Sequence, residues 1–163
     1  MSKKIILTGS FGVGKTSLFN RFIYNQFNEK YMTTIGVKVN KKNVMAHGHE
    51  VTLLVWDIAG EVTQDKVPAS YFLGTSGIIY VIDLSRTSTF QNVATDIKYL
   101  KQIQPKATIY IVGNKRDLIP TEEALNAILE QIPVTVQVIT SAQTGDNVEQ
   151  LFTALTEAMT QPN

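Results

Sequence analysis

An α/β fold, with a mostly parallel sheet covered by helices on both faces and one antiparallel edge strand, is what this sequence predicts. Three observations lead there. Short apolar runs recur at Ile5 to Leu7, Val51 to Trp56, Ile78 to Ile82, Ile109 to Val112 and Val134 to Ile139. Runs without the alternation of a half-exposed strand suit strands buried on both faces. Between them lie residues at helical spacing: Leu18, Phe19, Phe22, Ile23; Val93, Ile97, Leu100, Ile103; Leu125, Ile128, Leu129; and Val148, Leu151, Phe152, Leu155. Strand then helix, repeated, gives parallel strands in a three-layer sandwich. The exception is Val37 to Met45, joined to Val51 to Trp56 by Ala46-His47-Gly48-His49-Glu50, which reads as a hairpin with Gly at the turn.

Composition narrows the class. With 163 residues and 44% hydrophobic content, one core is filled without staples, so residues 1–163 are expected to form a single domain. A net charge of +1 with no Lys/Arg block argues against a nucleic-acid or lipid-surface partner. The absence of cysteine removes disulfides, thiolate catalysis, Cys-based zinc sites and prenyl anchors, and suits a reducing compartment. A cytoplasmic monomer is the expectation. The apolar run after Met1-Ser2-Lys3-Lys4 is too short for a signal sequence or a membrane span.

In open α/β sheets, ligands bind where strands end and loops begin, so the residues after each buried run come next. The first run is followed by Gly9-Ser10-Phe11-Gly12-Val13-Gly14-Lys15-Thr16, a G-x-x-x-x-G-K-[ST] string between a strand and an amphipathic helix. Its glycines let backbone N–H groups turn inward as an anion nest, and the helix N-terminus points at the same place. Lys15 adds a full charge near the outer phosphates, and Thr16 offers a hydroxyl to Mg²⁺. Taken alone, this P-loop NTPase motif leaves kinases and ATPases open.

Asp57 ends the run Leu53-Leu54-Val55-Trp56 and reaches the same rim, where its carboxylate can hold Mg²⁺ through water. Gly60 follows and can present a backbone N–H to a terminal phosphate. A third run ends in Asn114-Lys115-Arg116-Asp117. A carboxylate in that loop accepts hydrogen bonds from the ring imino proton and the exocyclic amine of guanine, whereas adenine would leave it unpaired. Such sites reject the wrong base by roughly 10⁴-fold. The Lys115 stem can cover one face of the base and Phe27 the edge of the other. Ser141-Ala142-Gln143 closes the site, with the Ala142 N–H placed to reach the guanine carbonyl. The nucleotide-binding candidates are therefore Gly9, Gly12, Val13, Gly14, Lys15, Thr16, Ser17, Phe27, Asn114, Lys115, Asp117, Ser141, Ala142 and Gln143.

On these residues the chain resembles the Ras superfamily of small GTPases, its Rab-like branch in particular. The likeness extends to Thr33-Thr34-Ile35-Gly36-Val37, Trp56-Asp57-Ile58-Ala59-Gly60, Tyr71-Phe72-Leu73-Gly74 and Thr144-Gly145-Asp146-Asn147-Val148. It implies a six-stranded sheet with about five helices, GTP or GDP as ligand, and effector and regulator proteins reading loops near 31–38 and 57–72. It also implies that Thr34 joins Thr16 and Asp57 as a metal ligand and senses the γ-phosphate, that Phe27 packs on guanine, and that Lys15, Thr34, Gly60 and residue 61 form the hydrolytic group.

Departures fall on that group. Where the family carries a water-orienting Gln, this chain has Glu61. Beside a triphosphate its carboxylate would pay roughly 4 kcal/mol at about 4 Å and an effective dielectric of 20. Phe11 stands where the family has a small residue and would obstruct an arginine finger. Slow hydrolysis is therefore expected, rescued by Gln64 or by a partner's side chains. Gln143 replaces the family's Lys and is expected to loosen the base grip slightly. Related chains often continue into a tail with lipidated cysteines; this one reads Thr160-Gln161-Pro162-Asn163, so either it is a minimal soluble member or its tail lies beyond Asn163. His47 and His49 read as solvated turn residues rather than metal ligands. Two alternatives remain: a GTP-binding scaffold that barely hydrolyses, and a P-loop kinase, in which N-K-x-D would have no task.

Overall fold

Consecutive apolar residues in a strand must face opposite ways, and two cores result. The structure is a computed structural model that describes residues 1–27, 36–61 and 63–161. In chain order it comprises β1 (Ser2–Gly9), α1 (Lys15–Tyr24), β2 (Val37–Ala46), β3 (His49–Ile58), β4 (Thr75–Asp83), α2 (Val93–Ile103), β5 (Thr108–Asn114), α3 (Glu122–Gln131), β6 (Val138–Ile139) and α4 (Val148–Met159). The sheet order is β2-β3-β1-β4-β5-β6, with β2 antiparallel to β3 and the other pairings parallel. On one face Ile5, Leu7, Val55, Ile79 and Val81 pack against α1 and α4, where the Phe22 and Phe152 rings stack at 3.7 Å between centroids. On the other, Ile6, Ile78, Tyr80 and Ile82 meet Val93, Ile97 and Leu100 of α2.

The hairpin turn has His47 and Gly48 at φ 51° and 78°, the left-handed pair that suits the twist of a two-residue connection. His47 Nε2 donates to the Glu157 carbonyl at 3.0 Å, docking the turn on α4. Among the described residues no group of three or more His, Cys, Asp or Glu is placed to hold a metal. Nor is any helix among them long and apolar enough to cross a membrane.

Two elements differ from the sequence reading. Among the described residues there are four α-helices rather than about five, because 64–72 forms two 3₁₀ turns, Gln64–Lys66 and Ala69–Phe72. Pro68 separates them: its ring holds the preceding Val67 extended, at φ −74° and ψ 131°, and it has no N–H to carry a helix through. The last strand is only Val138–Ile139, although the apolar run begins at Val134. Gln137 bonds Ile111 through both its backbone N–H and its side-chain Oε1, which takes the Ile111 N–H at 2.6 Å where a ladder carbonyl would lie.

Candidate nucleotide site at the sheet rim

Parallel pairing brings the carboxyl ends of β1, β3, β4, β5 and β6 to one rim. Register sets Leu7 beside Asp57 and Asp83 beside Asn114. The loop after β1 enters α1 at Gly14, φ 101°, and that helix starts with no side-chain cap and no acid in its first turn. By contrast α3 is capped by Thr121 and opens with Glu122 and Glu123. A helix start with no side-chain cap and a lysine in place of acids is arranged for an external anion. Lys15, 6% exposed, donates to the Gly9 carbonyl at 3.2 Å and the Ser10 carbonyl at 2.8 Å. Burial pushes its ammonium down to about 8, against the opposing pull of the Asp57 carboxylate. A bound anion would relieve that desolvation.

Thr16 Oγ1 donates to Asp57 Oδ2 at 2.6 Å, and Asp57 is fully buried. A hydroxyl and a carboxylate in contact make an all-oxygen donor set of the kind Mg²⁺ takes. Thr34 lies outside the described residues. Ala59 and Gly60 fold over the phosphate loop: Ala59 N–H donates to the Gly36 carbonyl at 3.0 Å, and Glu61 N–H to the Gly9 carbonyl at 3.3 Å. A methyl on Gly60 would meet Phe11 Cα at 2.5 Å, so only glycine lets the two loops lie this close. The Phe11 ring points outward, 54% exposed.

At the base end, Asn114 is buried and connects the parts. Its Nδ2 donates to the Val13 carbonyl at 3.0 Å, while its Oδ1 accepts from Thr140 Oγ1 at 3.0 Å and the Ala142 N–H at 3.3 Å. A methyl on Gly14 would overlap Asn114 Nδ2, so the phosphate and base loops touch directly. Lys115 sits at φ 69°, a left-handed geometry that costs a non-glycine residue about 1–2 kcal/mol, and its Nζ donates to the Gly12 carbonyl at 2.8 Å. Asp117 is exposed, with Oδ1 accepting from the buried Ser141 hydroxyl at 2.7 Å. Arg21 Nε donates to the Ala142 carbonyl at 2.8 Å, a tie from α1 to the 141–143 loop that the sequence reading missed. Phe27 is half-buried against the first core. Ser17 is half-buried in α1 and Gln143 is exposed.

Two further residues escaped the sequence reading, and only Asp83 carried a signal there. Asp83 follows the buried run Ile78 to Ile82 just as Asp57 follows its own, and Arg86 is one turn on. Gln64 requires a correction. It is fully buried, its Oε1 bonded to the Thr8 hydroxyl and its N–H donating to Asp96 Oδ1 at 3.0 Å, so its side chain faces the core and not the phosphate-loop opening. The apolar surroundings of α2 draw the segment inward here.

Asp96 also accepts from Tyr80 Oη at 2.7 Å. Burial raises its carboxyl above the ordinary 3.8; the bonds from Tyr80 and Gln64 oppose the rise, and the Asp65 charge adds to it. The folded state thus holds this proton more tightly than the unfolded chain, so stability falls as pH climbs from about 4 through the raised value. Asp96→Asn should remove that loss. Urea unfolding at a series of pH values is expected to show wild type losing ground to the variant as pH rises from about 4; a constant difference would mean that the carboxyl titrates normally.

Comparison with known proteins places this rim in a lineage. The Ras family model matches residues 4–161. The GTP-binding protein ypt3 of Schizosaccharomyces pombe is 35% identical over 161 residues, covering 94% of this chain and 74% of the yeast protein. Ras-related protein RABA1b of Arabidopsis thaliana is 34% identical over 155 residues, covering 91% and 71%. Ras-related protein SEC4 of Saccharomyces cerevisiae is 33% identical over 156 residues, covering 93% and 72%. From its phosphate loop to its last helix, the chain belongs to the Ras family of small GTPases, on the Rab-like side.

Proposed function

We propose that residues 1–163 form one switch domain that binds GTP or GDP with Mg²⁺ and hydrolyses GTP slowly. The observation that carries the reading is Asn114, whose one side chain bonds both the phosphate loop at Val13 and the base loop at Ala142. Two loops so joined serve a ligand with an anionic end and a planar end. In this reading Gly12, Val13, Gly14, Lys15 and Ser17 hold the phosphates, and Asp117 reads the guanine edge beside Ser141, Ala142 and Gln143. Lys115 and Phe27 flank the base.

Thr16, Asp57 and Thr34 would hold Mg²⁺, which when bound supplies positive charge and a template for the phosphate oxygens. Gly60 would offer its N–H to the terminal phosphate. Glu61 is the weak member, since a carboxylate beside that phosphate is repelled and cannot donate to the leaving charge. With its side chain turned into the core, Gln64 does not replace it. The observation also keeps a second reading in view, a scaffold that stays GTP-bound. Partners would read the loops near 31–38 and 57–72, and next to the first of them Val39, 51% exposed, pairs with Trp56 across β2 and β3.

Mass spectrometry of the co-purified nucleotide and single-turnover hydrolysis test the proposal. Guanosine phosphates are expected on the purified protein, and Glu61→Gln should speed hydrolysis about tenfold or more. No measurable affinity for GDP or GTP with Mg²⁺ present would overturn it, and a wild-type rate equal to that of Glu61→Gln would remove the assigned cause of slowness.

A further inference from the structure

Each carbonyl of the phosphate loop from Gly9 to Val13 accepts a side-chain hydrogen bond: Gly9 and Ser10 from Lys15, Phe11 from Arg86, Gly12 from Lys115, Val13 from Asn114. The peptides here are trans. In a trans peptide the C=O and the next residue's N–H point in opposite directions, so a carbonyl pinned outward aims the following N–H inward. Lys15, Lys115 and Asn114 belong to the two sequence motifs. Arg86 belongs to neither.

Arg86 Nη2 reaches the Phe11 carbonyl at 2.7 Å, and its Nε lies 3.4 Å from Asp83 Oδ2. The same oxygen is 2.9 Å from Lys115 Nζ. Asp83 is itself fully buried, and its Oδ1 accepts from the Ser85 N–H at 2.8 Å and the Ser85 hydroxyl at 2.6 Å. One fixed carboxylate thus holds two cations that seize adjacent carbonyls of the loop. A guanidinium can span both contacts because its donors form a rigid fork, which an ammonium does not have.

We propose that Asp83 and Arg86 are positioning residues for the phosphate site, Arg86 aiming the Gly12 N–H at the phosphates through the Phe11 carbonyl. This rests on the guanine-nucleotide reading above. The Arg86 side chain is 44% exposed, and without it the buried Asp83 carboxylate still has Lys115 at 2.9 Å, so its loss changes stability little. What is lost is orientation of one peptide.

The test follows release of a fluorescent GDP derivative from wild type, Arg86→Gln, Arg86→Lys and Asp83→Asn, together with the amide resonance of Gly12 in the nucleotide-free protein. Arg86→Gln is expected to release GDP about tenfold faster, the change that one charge-assisted hydrogen bond makes. Arg86→Lys should fall between, and Asp83→Asn, which unpairs both cations, should exceed Arg86→Gln. In Arg86→Gln the Gly12 amide should shift, while melting temperature and the preference for GDP over inosine diphosphate stay as in wild type, because Lys115 keeps its contacts with Asp83 and Gly12. Wild-type release rates and an unmoved Gly12 amide in Arg86→Gln would overturn the clamp, whether or not Asp83→Asn folds. Failure of wild type to bind GDP would instead overturn the nucleotide reading, and the Gly12 amide would still decide the clamp.

Discussion

Asp117→Asn is expected to turn preference from guanine to xanthine nucleotides. Asp117 Oδ1 takes the Ser141 hydroxyl at 2.7 Å, which leaves the rest of the carboxylate facing the rim. In the proposed complex that carboxylate accepts from the guanine imino and amine groups. An amide of the same shape keeps the Ser141 bond but presents N–H where the amine needs an acceptor, so one bond is lost and a donor faces a donor. Xanthine carries a carbonyl at that position and restores the pairing. GTP affinity should fall by about 10³ to 10⁴, the discrimination reached when a site's hydrogen bonds are left unmade. Competition of xanthosine and guanosine triphosphates against a fluorescent probe reads both changes. A variant that still prefers GTP would refute the base-site assignment.

Lys15→Met should have two opposite effects. Removing the charge ought to weaken GDP and GTP binding by about 10² to 10³, because charge-assisted bonds to phosphate in a dry site are worth roughly 1.5 to 3 kcal/mol each. Yet the nucleotide-free protein should become more stable. Its ammonium falls from 10.5 to about 8 on burial, so the folded state holds the proton less tightly than the unfolded chain. Below about pH 8 the buried cation therefore costs stability, roughly 3 kcal/mol at neutral pH. The two bonds to Gly9 and Ser10 offset part of this, leaving a gain of about 1 kcal/mol for the variant. Urea unfolding of the two nucleotide-free proteins measures it, and a less stable variant would show that the loop needs its lysine even without a ligand.

Both predictions concern residues that could be found from sequence, because each lies in a string whose spacing has a single physical use. Gly9 to Thr16 and Asn114 to Asp117 act through contiguous backbone, so order along the chain already encodes geometry. The buried strands were equally plain, since double-sided burial forces uninterrupted apolar runs such as Ile78 to Ile82. Arg86 was hidden for the opposite reason. Its contact with Phe11 depends on how β4 is placed against β1, and no local pattern reports a pairing of residues so far apart. Gln64 misled because a polar residue in a mobile-looking loop reads as exposed, whereas Thr8 and Asp96 offer it partners inside. Pro68 stands in the sequence, but the expectation of about five helices came from the family resemblance alone and took no account of it.

The overlap that any side chain on Gly14 would make with Asn114 turns the two ends of the pocket into one arch with a shared keystone. On the guanine-nucleotide reading proposed above, displacing either lip disturbs the other, so a regulator that releases nucleotide would need purchase on only one of them.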